Sequence, residues 1–120
     1  MPKHILVVED DDGLRYTYGR TLRAAGYIVF AFPDYRGVMD MLDKGAEAHL
    51  LLVDILLPVS TPHGVSVAAM AQYRRPDLPV LFVTGYTDYD RHVPAGAAVL
   101  VKPVADTMLL ATVAKMLAEQ

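Results

Sequence analysis

The chain has 120 residues, 53% of them hydrophobic, no Cys and a formal net charge of −3. It is long enough for one domain with a core of its own. Disulfides, thiolate metal sites and Cys nucleophiles are excluded, no basic face for nucleic acid is implied, and no segment reaches the roughly 18 apolar residues of a membrane span.

The first apolar run, residues 5–8 (ILVV), predicts a strand. Four acidic residues follow it, Glu9, Asp10, Asp11 and Asp12. Acids there do not suit a signal peptide, so a cytoplasmic location without membrane insertion is expected. Beyond Asp12, Leu14, Tyr18, Leu22 and Ala25 fall on one helical stripe, and Gly26 is a stop signal. A second run covers residues 27–31. Pro33 and Asp34 can open a second helix carrying Val38, Met41 and Leu42, with Gly45 to end it.

The third run, residues 50–53, ends on Asp54. A loop with two prolines, Pro58 and Pro62, leads to a third helix from about Gly64 to Tyr73. The fourth run, residues 80–83, ends on Thr84. Gly85, Pro94 and Gly96 then leave room for only a short helix. The fifth run, residues 98–101, ends on Lys102. A last helix from about Ala105 places Leu109, Val113 and Met116 or Leu117 on one side.

All five runs are continuous rather than alternating, as in strands buried on both faces of a parallel sheet. Strand and helix alternate over residues 1–120 without a linker or repeat, which implies one doubly wound α/β domain. In such a sheet the carboxyl ends of all strands share one edge, where ligands bind. Glu9 to Asp12, Asp54, Thr84 and Lys102 each stand at a strand end and are expected to converge there. Singly, each has a plainer explanation: a helix cap, a strand-end cap, a turn hydroxyl or a surface charge. Together they suit a divalent cation and a phosphoryl group. Neighbouring carboxylates at 4 Å repel by about 4 kcal/mol at an effective dielectric near 20, and a hard cation relieves this.

Four pieces carry a family resemblance: ILVVED at 5–10, LLVDILLP at 51–58, VTG at 83–85 and VKP at 101–103. In this order and rough spacing the chain resembles the receiver domains of two-component response regulators. The resemblance implies a flavodoxin-like five-stranded parallel sheet, order 2-1-3-4-5, with helices on both faces and here a shortened fourth helix. It implies phosphorylation of Asp54 by a sensor histidine kinase or a histidine phosphotransfer protein, with a changed protein-binding surface as the output. Mg2+, for which Mn2+ can substitute, would be held by Asp10, Asp54, the backbone carbonyl of Leu56 and, through water, Glu9. Lys102, Thr84 and the Gly85 backbone N–H would hold the phosphoryl oxygens, and the Lys102–Pro103 bond would be cis.

The resemblance also has departures. Val99 stands where the family often has Tyr or Phe, so the Thr–aromatic form of switching is in question; Tyr86 and Tyr89 are more simply surface residues. Thr84 and Lys102 are closer than usual, which points to an altered output face around Tyr89 and Arg91. His63 is assigned no role. No output domain follows, so both a stand-alone regulator and a receiver from a larger protein fit, and a homodimer is left open. Two rivals remain. A pseudo-receiver would work by contact alone. A phosphatase with an Asp nucleophile would need a second Asp at the position of Leu56.

Overall fold

A computed structural model describes residues 1–55, 63–85 and 93–120. The elements run β1 (His4–Val8), α1 (Asp12–Ala24), β2 (Ile28–Phe32), α2 (Tyr35–Asp43), β3 (Leu50–Asp54), α3 (Gly64–Arg74), β4 (Val80–Thr84), β5 (Ala98–Val101) and α4 (Asp106–Ala118). All four strand pairings are parallel, and the sheet order is β2-β1-β3-β4-β5. This is the expected doubly wound order. The expected short helix after Thr84 falls largely on residues 86–92, outside the described residues.

Successive side chains of a strand point to opposite faces. The sheet therefore separates two cores. On one face Leu6, Val8, Leu51, Val53 and Phe82 pack with Val38, Met39 and Leu42 of α2 and Val67, Ala68 and Ala71 of α3. On the other, Ile5, Val7, Leu50, Leu52, Leu81 and Val83 pack with Tyr18 and Leu22 of α1 and Leu109, Val113 and Leu117 of α4. The three inner strands thus have apolar residues on both faces, as their unbroken runs require.

The outer strands differ from expectation. β2 leaves Ile28 and Phe30 exposed and buries Val29, and it begins at Ile28 rather than Tyr27. β5 is only half-buried. An apolar run marks a strand but not its place in the sheet; an edge strand has a neighbour on one side only. The helices keep most of their predicted stripes. Ala25 does not: it is the exposed C-cap residue of α1, and Gly26 takes φ +99° just beyond it. Met39 is buried where Met41 is only partly so.

Candidate phosphoacceptor site

Each site residue is delivered by the end of a strand. The pairing Val8↔Val53 in the β1–β3 ladder sets Glu9 beside Asp54. The pairing Asp54↔Val83 brings Thr84 to the same edge, and Thr84↔Val101 brings Lys102. Two backbone bonds extend these ladders past the strand ends: Ile55 N donates to Val83 O at 3.0 Å, and Lys102 N donates to Thr84 O at 2.7 Å.

The acidic run divides its work. Glu9 and Asp54 are buried, at 1% and 4% exposure, while Asp10 is exposed. Carboxylate oxygens of these three lie within 4.8 Å of one another. Asp11 instead caps α1, its Oδ1 accepting from Leu14 N at 2.8 Å, and its own N–H donates to Glu9 Oε2 at 3.2 Å. Asp12 pairs with Arg15 on the helix surface. Arg15 Nη1 also donates to the Glu9 backbone carbonyl at 3.0 Å, holding the start of the loop.

Lys102 Nζ stands 3.0 Å from Glu9 Oε1 and donates to Asp54 Oδ2 at 3.1 Å. One ammonium thus faces two buried carboxylates. Burial and the nearby Asp54 push the Glu9 carboxyl up to about 7, and Lys102 only partly offsets this. Burial alone would lower the Lys102 pKa, but its bonds to Glu9 and Asp54 outweigh burial and raise it. The site therefore holds more negative charge than its own cation neutralises. Three hard oxygen donors from separate carboxylates, in excess of one ammonium, fit a Mg2+ ion.

Thr84 is fully buried at the end of β4, and Gly85 is exposed beside it with open space around it. The structure thus gathers Glu9, Asp10, Asp54 and Lys102 into one cluster and sets Thr84 and Gly85 on the adjacent strand end. Leu56, Tyr86, Tyr89 and Arg91 lie outside the described residues. His63 is the N-cap residue of α3, its Nδ1 accepting from Val65 N at 3.5 Å. The Lys102–Pro103 peptide is cis.

One supporting residue carried no sequence signal beyond a helix start. Gly64 N donates to Ile55 O at 3.1 Å, and a Cβ at Gly64 would lie 2.1 Å from the Asp54 carbonyl oxygen. Only glycine lets α3 begin this close to the strand that carries Asp54.

Comparison with known proteins agrees with the fold. The model of the response regulator receiver domain matches residues 5–114. The response regulator receiver protein CpdR of Brucella abortus is 34% identical, covering 96% of this chain and 97% of its own. The sensor kinase CckA of the same organism is 29% identical over 97% of this chain, which spans 13% of that kinase. Among solved structures, a CheY-like receiver domain protein from Methanospirillum hungatei superposes with a TM-score of 0.87 at 29% identity, covering 99% of this chain and 96% of that one. The receiver domain of hybrid histidine kinase CckA superposes at 0.80 with 30% identity, covering 95% and 98%.

Proposed function

Because the chain belongs to the response regulator receiver family, we propose that it accepts a phosphoryl group on Asp54 from a phosphohistidine of a sensor histidine kinase or phosphotransfer protein. The observation that carries this reading is the Asp54 carboxylate itself: buried, bonded to Lys102, and crowded by two further acids. A receiver is a signalling domain rather than an enzyme with turnover, and the charge added at Asp54 is its message.

An Asp54 carboxylate oxygen attacks phosphorus in line with the departing nitrogen. The P–N bond breaks, its electron pair stays on the donor imidazole, and the new bond is an acyl phosphate. Little covalent work is asked of the protein; alignment and charge stabilisation dominate such transfers. Asp10, Asp54, the Leu56 carbonyl and, through water, Glu9 would hold Mg2+, which supplies positive charge for the transferred oxygens. Lys102 swings from the carboxylates to a phosphoryl oxygen, and Thr84 and the Gly85 N–H bind the others. The phosphoryl group carries about −1.5 to −2 where the carboxylate carried one negative charge, and this larger charge, set further out, biases the surrounding loops.

Leu56 stands two residues after Asp54 and cannot move a proton, which disfavours a phosphatase. The test is incubation with acetyl phosphate and Mg2+, followed by intact-mass measurement. The wild type gains one labile phosphoryl adduct; Asp54→Asn and EDTA-treated protein gain none. Folded wild type that stays unmodified would leave only the pseudo-receiver reading, and steady release of phosphate from a generic phosphomonoester would favour the phosphatase.

A further inference from the structure

Tyr18 lies on the stripe of α1 that meets the sheet, on the same face as the core containing Leu50 and Leu52. Strand alternation puts Asp54, two residues beyond Leu52, on that face, and likewise Glu9 beyond Val7 and Lys102 beyond Leu100. The tyrosine is only 4% exposed. Its hydroxyl oxygen is buried and has no hydrogen-bond partner among the described residues. A buried hydroxyl in that position costs more than the phenyl ring alone would, so filling the core does not account for it.

The surroundings indicate what the hydroxyl is for. Tyr18 and Lys102 line one cleft of about 340 Å³ together with Leu14, Thr17, Pro103 and Val104. Burial pushes the phenol up to about 12, while Lys102 acts in the opposite direction and Glu9 and Asp54 add to the rise. The group is thus neutral and within the field of the whole site. Lys102 has three ammonium N–H donors. Glu9 and Asp54 face two of them. When Asp54 becomes an acyl phosphate, the ammonium must follow the new oxygens and leave Glu9.

We propose that Tyr18 is a positioning residue for Lys102, its hydroxyl oxygen accepting an ammonium N–H in the phosphorylated state and fixing the ammonium against the phosphoryl group. The proposal rests on phosphorylation of Asp54 and makes the two states respond oppositely to loss of one oxygen atom.

The experiment compares the wild type with Tyr18→Phe, which keeps the ring. Thermal unfolding of the unmodified variant should match or exceed that of the wild type. Its affinity for beryllofluoride with Mg2+, an acyl-phosphate mimic, should fall about ten- to a hundredfold, the range of one hydrogen bond with a charged partner. Its maximal phosphorylation rate with acetyl phosphate should fall, with half-saturating donor concentration unchanged. In a Lys102→Ala background, Tyr18→Phe should have no further effect on that rate. Unchanged beryllofluoride affinity, a destabilised resting variant, or an equal rate effect without Lys102 would each overturn the proposal. Failure of the wild type itself to bind beryllofluoride would remove the Asp54 reading, and this proposal with it.

Discussion

The two ends of the sheet handle polar groups in opposite ways. At the amino end, His4 N donates to His49 Nδ1 at 2.8 Å, His49 N donates to His4 O at 2.8 Å, and Gln120 Nε2 donates to His49 O at 2.9 Å. His4 Nε2 lies 3.6 Å from Glu47 Oε2. Donors meet acceptors there and the end is closed. At the carboxyl end, Glu9, Asp10 and Asp54 crowd within 4.8 Å, and Glu9 and Asp54 share one ammonium. The difference shows where the fold tolerates like charge: local repulsion at one sheet edge, maintained by cores that lie elsewhere.

The comparison can be broken most severely at Lys102. Lys102→Ala should slow phosphorylation by acetyl phosphate about a hundredfold, the scale seen when one charge-stabilising donor is removed; stopped-flow or mass kinetics would measure it. A loss of less than threefold would mean that the ammonium serves only the resting site. Next is the backbone behind Asp54. Gly64→Ala places a methyl against the Asp54 carbonyl and should cost about 1–3 kcal/mol in urea unfolding, as overpacking does. A neutral result would show that α3 can step back from β3 freely.

A third prediction uses pH. The folded pKa of Glu9, about 7, lies above its ordinary 4.5. The folded state therefore binds the proton more tightly, and this contribution is complete below about pH 4.5 and lost as pH rises through about 7. In EDTA, wild type should lose on the order of 2–3 kcal/mol over that window relative to Glu9→Gln, at about 1.36 kcal/mol per unit. Added Mg2+ should restore most of it. Equal slopes for the two proteins would mean that the acids are already balanced.

The smallest effect belongs to the amino end. Burial lowers the His49 pKa, with Lys3 adding to the shift. Its stabilising contribution is thus present above the ordinary value of 6.5 and is lost as pH falls through the lower folded value. His49→Ala should cost about 1 kcal/mol at pH 7 by removing the acceptor of His4 N–H, and less at pH 5, by denaturant titration. A larger loss than at Gly64 would invert the ranking of the two ends.

The strand ends were legible in the sequence because a parallel sheet forces them to one edge; Asp10, Asp54, Thr84 and Lys102 could be placed by that rule alone. The inner strands were legible because burial on two faces leaves an unbroken apolar run. Edge position could not be read from the runs themselves, since residues 27–31 and 98–101 are as apolar as their neighbours; it came from the resemblance, whose strand order the pairing bears out. Tyr18 was correctly set on a core-facing stripe, but a stripe says nothing about where the ring's far end stops. Gly64 was marked as a helix start, while the 2.1 Å approach that demands glycine depends on a contact ten residues away.

Strand parity has a last consequence. Thr84 follows Val83 and so shares the side of Phe82, with α2 and α3, whereas Lys102 shares the side of Leu100, with α1 and α4. An adduct on Asp54 gripped by both would fasten the two helical layers to each other across the sheet margin, like a rivet through a lamination. Such an adduct would then resist slippage between the layers as well as bias the loops around it.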